Sequence, residues 1–298
     1  MFNFNIKKQH KNPPPPIQTT EINHKINFKN IPIFIISFNR LSYLKQLVEY
    51  LENKNYTNIN IIDNKSTYGP LLDYLKNSKH KVYYMDKNYG HRVFWECNLF
   101  NEIINNEYYI VTDNDVLPTE NCPDNFAEMF YDILQTNPCI TKVGFSLKID
   151  DIDDSYELKK SVLKLEKPFY SIKKSYKDIF IYESQIDTTF ALYKPKINMD
   201  KFYYAIRTGS PYQARHLPWY PNKNKTEEEI YYIKTHKKGI SNYSAGLTNK
   251  ELTKKFNFRK SFYKFKTQNY TIFNIAGFKI KIRRKGKLKD ILKAYFLV

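Results

Sequence analysis

The chain has 298 residues, 42 % of them apolar, and a formal net charge of +18. That length carries one large α/β domain with appendages, or two modest domains, with enough apolar residues for a core. Three cysteines with no close pair, Cys97, Cys122 and Cys139, argue against a disulfide framework or a thiolate zinc site, and no apolar run nears the roughly 20 residues that span a bilayer.

Residues 1–28 are polar and hold a PPPP run at 13–16, which favours polyproline II and an extended lead-in. The first residues, MFNFNIKKQHKN, lack the apolar stretch of a secretory signal, so a soluble, cytoplasmic chain is expected. IPIFIIS (31–37) is a nearly unbroken apolar run, as in a strand covered on both faces. Asn39 can cap the next segment, where Leu41, Leu44, Leu47, Val48 and Leu51 recur at helical spacing. INIID (59–63) reads as a second strand, a helix is expected near 69–77, and KVYYM (81–85) reads as a third strand. A helix from about His91 to Asn105 would place Val93, Cys97, Phe100 and Ile104 on one face, and YYIVTD (108–113) reads as the fourth strand.

Strands alternating with helices of this length predict right-handed βαβ units and a mostly parallel sheet, with ligands bound beyond the carboxyl ends of the strands. Ser37, Asp63, Asp86 and Asp113 fall at or just after those ends. The same residue types also serve there as helix caps and turn formers. Further on, a helix is expected over about 123–136 and a strand near 140–147. KIDDIDDSYE (148–157) reads as a solvated loop, because it lacks the glycine and ligand spacing of a calcium loop. DTTFALY (187–193) reads as another strand, and 200–221 is rich in aromatics with Arg207, Arg215 and His216 among them. No internal repeat is evident.

The stretch TDND ends the fourth strand on two carboxylates, Asp113 and Asp115, one residue apart. Like charges so close repel unless a cation lies between them or one is protonated. Their oxygens suit Mg²⁺ or Mn²⁺ shared with phosphate oxygens, so the pair at this position predicts a metal-bridged diphosphate.

SFNRLSYLKQLVEYL after the first strand, IIDNKST after the second, KNYGHR after the third and TDND after the fourth together resemble a GT-A fold glycosyltransferase of the family-2 type, over roughly residues 30–220. DTTFALY and AIRTGSPYQARHLPWY resemble the second half of a bacterial and viral surface-glycan subgroup of these enzymes. The resemblance implies a Rossmann-like α/β domain over 29–248, between the extended segment 1–28 and a basic extension 249–298. It implies a nucleotide-sugar donor, UDP- or GDP-linked, held by Ser37, Asn39, Asp63, Arg92, Asp113, Arg207 and Arg215. In it Asp63 would meet the base, Arg92 would lie near the nucleotide or its phosphates, and Asp113 would touch the ribose or a metal-bound water. Mn²⁺ or Mg²⁺ would be bound by Asp113, Asp115 and His216. Asp187 would be the base that takes the acceptor proton; the usual Glu-Asp pair is absent there, as Ile186 precedes it, and Glu183 is the reserve. An inverting transfer to a glycan or lipid-linked hydroxyl is implied. Each residue also has a plainer reading: His216 packed beside Pro218 and Trp219, the arginines paired with surface carboxylates, Asp187 capping a turn, and Tyr212, Trp219 and Tyr220 in core and rim.

The charge is concentrated at the C-terminus: residues 249–298 hold 15 Lys and Arg against 2 acidic residues, a net of +13, leaving about +5 for the first 248. YTIFNIAGFKIKIRRKGK (270–287) alternates apolar and basic residues, which predicts a strand or hairpin. From Leu288 the period turns helical, with Ile291, Leu292, Tyr295 and Phe296 on one face. Such a segment suits an anionic membrane surface, at about 1 kcal/mol per basic residue, and a peripheral location at the inner face of a membrane is expected. A solvated basic face on a docked helix is the alternative. Two other functions remain: a nucleotidyltransferase, although SFNRLSY lacks a glycine-rich phosphate loop, and a non-catalytic basic membrane- or RNA-binding protein, although the basic residues are not spread over the body. No nucleic-acid partner is expected.

Overall fold

The computed structural model describes residues 26–197, 199, 202, 204–220 and 225–236, together with the backbone of strands 262–266, 270–275, 278–283 and 295–297. The PPPP run and most of the lead-in lie outside these residues. The chain builds β1 (Ile33–Ser37), α1 (Leu41–Asn53), β2 (Ile59–Asp63), α2 (Gly69–Lys76), β3 (Lys81–Tyr84), α3 (Val93–Glu96), α4 (Asn101–Asn106) and β4 (Tyr109–Asp113). Then come β5 (Val116–Pro118), α5 (Phe126–Gln135), β6 (Lys142–Leu147), α6 (Lys159–Glu166), β7 (Lys173–Tyr176), β8 (Ile179–Glu183), β9 (Ala191–Tyr193), β10 (Ala205–His216) and α7 (Glu227–Thr235).

These strands form one ten-stranded mixed sheet in the order β3-β2-β1-β4-β9-β6-β10-β8-β7, with β5 on the end of β10. β3, β2, β1, β4, β6, β10 and β7 run one way, and β9, β8 and β5 the other. The sheet is largely parallel in direction, and β9 lies antiparallel between β4 and β6. Apolar residues separate by strand parity. Ile33, Ile35, Ile61 and Ile110 pack on one face under α1, α2 and α5, while Phe34, Ile36, Ile62 and Val111 pack on the other under α3 and α4. Each such side chain, fully buried, contributes about 1.5–3 kcal/mol. Leu44, Leu47, Val48 and Leu51 are the buried stripe of α1, the spacing legible in the sequence.

Several sequence expectations are corrected. The helix expected over 91–105 is two short helices, because Asn98 takes a left-handed φ of 62°. This break lets Phe100 fold back onto Phe94, ring centroids 4.6 Å apart, and onto Phe34 at 5.0 Å. The strand read at 187–193 is only Ala191–Tyr193, and residues 184–190 form a loop. The hairpin β7–β8 and the helices α6 and α7 had no expectation.

β11 (Phe262–Lys266), β12 (Tyr270–Ile275), β13 (Phe278–Arg283) and β14 (Tyr295–Leu297) form a second, antiparallel sheet in that order. The hairpin read at 270–287 corresponds to β12 and β13. The helix read at 288–296 ends instead on a strand, where Tyr295 to Leu297 pair with the edge of β13; residues 288–294 lie outside the described residues. Among the described residues, no helix is long and apolar enough to cross a membrane.

Candidate active site

The carboxyl edge of β1, β2 and β4 holds the polar strand-end residues. After β1 the chain turns through Asn39, whose φ is 50°. Its side-chain carbonyl accepts the Thr67 N–H at 2.7 Å and the Tyr68 N–H at 3.0 Å, and its own N–H donates to Ser66 Oγ at 3.0 Å. Asn39 thus ties the loop after β1 to the loop after β2. Asp63 is buried, and its carboxylate accepts the Ser66 N–H at 3.2 and 3.3 Å. Burial raises its pKa, with the Ser66 hydrogen bonds opposing. Both side chains therefore cap the loop after β2, Asp63 from within it and Asn39 from the loop after β1.

At the end of β4 the middle residue of Asp-Asn-Asp turns inward. Asn114 donates its main-chain N–H to the Ile36 carbonyl at 3.1 Å and its side-chain amide to the Arg40 carbonyl at 3.0 Å. Ser37, fully buried, lies 3.4 Å from the same amide. This lock between the β1 and β4 ends leaves Asp113 and Asp115 lining a shared pocket.

The two carboxylates have different surroundings. Asp113 accepts the Thr188 hydroxyl at 2.8 Å. Burial, then the adjacent Asp115, push its carboxyl well above the usual carboxylate range; Thr188 opposes this and Asp187 adds to it. Asp115 is compensated instead: its Oδ2 lies 3.3 Å from Arg40 Nη1 and 3.5 Å from His216 Nε2. His216 ends β10 and is set beside Asp115 by antiparallel pairing with β5, where it faces Val116. Burial holds the imidazole below its ordinary pKa, with Asp115 opposing and Arg40 adding, so the ring is neutral at neutral pH. Its Nδ1 is buried with no hydrogen-bond partner among the described residues.

Arg40 is only 2 % exposed. Its Nη2 donates to both Glu229 carboxylate oxygens, at 2.9 and 3.0 Å, and the guanidinium lies 3.6 Å from the Tyr232 ring centroid. Both partners belong to α7, which lies over this edge. Glu228 of α7 accepts the Leu41 and Ser42 N–H groups at 2.9 and 3.0 Å, capping α1, which has no side-chain cap of its own. The Asn39 amide donates to Thr235 at 2.9 Å, and Tyr231 donates to the Thr67 carbonyl at 3.0 Å. α7 has no buried residue, so polar and ring contacts hold it in place. Just past it, the His236 ring lies nearly parallel to Tyr232, and its Nδ1 is 3.1 Å from the Tyr232 carbonyl. The Nδ1–H donates there, Nε2 is buried without a described partner, and the residue lines the pocket.

Asp187 reaches the same pocket from the loop between β8 and β9. It is half-exposed and 3.7 Å from His91 Nε2, which comes from the loop after β3. Gly144 permits this loop to lie close, since a Cβ there would meet the Phe190 carbonyl and stand 2.7 Å from the Ala191 side chain.

The pocket, of about 160 Å³, thus gathers Asp113, Asp115, Asp187 and His216 of the residues singled out in the sequence. Arg40, His91, Tyr232 and His236 were not singled out. Asn39 and Asp63 face neighbouring backbone, and Ser37 meets the Asn114 side-chain amide. Arg92 lies against Phe202 and 3.7 Å from Glu96. Arg207 is buried in an ion pair with Glu166 at 2.9 Å, and Arg215 pairs with Glu120 and Asp151 at 2.6 and 2.8 Å. The reserve base Glu183 is buried and paired with Lys174 at 2.9 Å. Among the described residues no group of three or more His, Cys, Asp or Glu side chains is placed to hold a metal ion; in the pocket, Asp115 and His216 stand 3.5 Å apart. No protein-family model matches this chain, and no curated protein matches it.

Proposed function

We propose that this chain is a metal-dependent glycosyltransferase of GT-A type, moving a sugar from a nucleotide-sugar donor to a hydroxyl of a glycan or lipid-linked acceptor. The observation that carries the reading is the charge of the pocket. Asp113, Asp115 and Asp187 line one space with His216 and His236 in a chain of net charge +18, and the arginine there is already shared between Asp115 and Glu229. A cation is the ligand such a space favours, and a diphosphate would join it only through that cation.

Asp115 and His216, with Asp113 beside them, would hold Mn²⁺ or Mg²⁺, since carboxylate and imidazole donors suit these ions. Metal–ligand bonds of about 2.1 Å at roughly 90–110° put two donor atoms about 3.0–3.5 Å apart, and Asp115 Oδ2 and His216 Nε2 are 3.5 Å apart. Asp113 would complete the set on losing its proton. Once bound, the ion would supply Lewis-acid stabilisation of the departing diphosphate. Asp187, at the open side of the pocket, accepts the proton of the acceptor hydroxyl as that oxygen attacks from the face opposite the nucleotide, which inverts the anomeric centre. His91 lies beside Asp187, 3.7 Å from its carboxylate.

A pocket of about 160 Å³ is smaller than the roughly 300–1,000 Å³ of sites that hold drug-sized ligands. The donor therefore needs α7 to shift from the edge, at the cost of its polar contacts to Arg40, Asn39 and Thr67 rather than of buried apolar surface. The basic C-terminal residues would hold the enzyme at the cytoplasmic face of an anionic membrane, where a lipid-linked acceptor resides; sedimentation with anionic liposomes, with and without residues 249–298, tests this. The catalytic reading is tested by thermal shift with UDP, GDP and their sugars, with and without Mn²⁺. A nucleotide-dependent rise only when Mn²⁺ is present is expected by mass action. A rise of equal size in EDTA would overturn the metal assignment.

A further inference from the structure

Two buried cations of the central sheet have no part in the pocket, and both donate to the backbone of one loop. Lys142, fully buried at the start of β6, donates its ammonium to the Asp187 carbonyl at 2.8 Å and to the Tyr193 hydroxyl at 3.1 Å. Its ammonium also lies 3.6 Å from the Phe202 ring centroid. Arg207, buried on β10, donates Nε to the Gln185 carbonyl at 3.0 Å while Nη1 pairs with Glu166 at 2.9 Å. The residue between those two carbonyls, Ile186, is fully buried. The segment is therefore pinned at three successive residues. Asp187 then projects its side chain outward to the pocket, and Thr188 donates its hydroxyl to Asp113 at 2.8 Å.

Burying an ammonium costs several kcal/mol unless its donors are satisfied, and an apolar residue would fill the same volume at less cost. Burial holds the Lys142 pKa well below its ordinary value, opposed by the charge of Asp187. A lysine kept there against that cost, aimed at the main chain of a loop that lines the pocket, has a positional purpose.

We infer that Lys142 and Arg207 are positioning residues, a buried cationic clamp that holds residues 185–188 so that Asp187 and Thr188 meet the pocket and Asp113 in fixed geometry. The inference rests on the transferase reading for its catalytic consequence, while the clamp itself is a property of the folded chain. A group misplaced by about 1 Å costs up to about 10²-fold in rate, so the clamp acts on turnover rather than on donor affinity.

The test uses the full chain with Lys142→Met, and Tyr193→Phe as the milder variant should the first not fold, since it removes one hydroxyl and keeps the ring stacked on Tyr109. Hydrogen exchange is followed at the amides of 185–190 without ligand, and kcat and KM are measured with Mn²⁺ and a UDP- or GDP-sugar. Expected are exchange about ten-fold faster confined to that loop, and kcat lower by about 10- to 100-fold with donor KM changed less than about two-fold. Unchanged exchange in the loop overturns the clamp. A faster loop with kcat intact, or with KM alone raised, overturns the positioning role. If the parent protein turns over none of these donors, the transferase reading falls, and the exchange measurement still decides whether the clamp exists.

Discussion

Beyond β1 and β2, Asn39 and Asp63 direct their side chains at neighbouring backbone, and Ser37 meets the Asn114 side-chain amide. Beyond β4, β9 and β10, Asp113, Asp115, Asp187 and His216 face open space. The same residue types at equivalent ends of the sheet thus do opposite things. The difference lies in what is nearby. On the first side the loops after β1 and β2 lie against each other, with α7 above them, so Asn39 and Asp63 each find an N–H to cap. On the second side Asn114 closes the strand ends, Asp113 accepts the Thr188 hydroxyl, and Asp115 is left to a cation, which in this state is the Arg40 guanidinium. Acidic residues at a sheet edge become a site where the backbone around them is already satisfied.

The sharpest way to break that contrast is Asp115→Ala. It should lower nucleotide-sugar turnover by at least about 10²-fold and remove the Mn²⁺-dependent thermal shift, with the circular dichroism of the fold retained. Turnover persisting in this variant would put Asp115 in the same structural class as Asp63.

Next comes α7. Glu228→Gln with Glu229→Gln weakens the cap on α1 and one of the two carboxylate partners of Arg40. Nucleotide–Mn²⁺ affinity should rise about three- to ten-fold, because less free energy is needed to displace the helix. Calorimetric titration checks this, and a loss of affinity would show α7 to be part of the ligand site rather than its cover.

Asp113→Asn sharpens the comparison between the paired carboxylates. The folded-state pKa of Asp113 is raised by burial and by Asp115, so the stability this group contributes is present at low pH and is lost as pH rises from about 4, the ordinary aspartate value, through the raised folded value. The metal-free variant should therefore melt higher than the parent at pH 7–8, by about 2–4 °C per kcal/mol of relieved repulsion, and should lose Mn²⁺ binding. In the parent, Mn²⁺ affinity should increase with pH, since binding expels the Asp113 proton. A lower melting point for the metal-free variant would contradict the buried repulsion.

The smallest effect is expected on the capped side. Asp63→Ala removes the acceptor of the Ser66 N–H and should cost about 1 kcal/mol of stability, with donor KM within about two-fold of the parent. A large rise in KM would return Asp63 to the nucleotide-binding role that the resemblance implies.

Much of the first half of the sheet was legible in the sequence. Unbroken apolar runs and helical spacing mark β1, α1, β2, β3 and β4 within a residue or two, because their periodicity is a local consequence of burial on two faces or one. The position of the carboxylates at a strand end was readable for the same reason. What surrounds them was decided only in three dimensions. Arg40 meets Glu229 across 189 positions of sequence, and Lys142 meets the Asp187 carbonyl across 45. No local pattern encodes such meetings, because they arise when the sheet brings distant loops to one edge. The same holds for the direction a cap residue faces: Asn39 and Asp113 look alike in the sequence, and the loop packed beside each decides whether its side chain serves the backbone or the pocket.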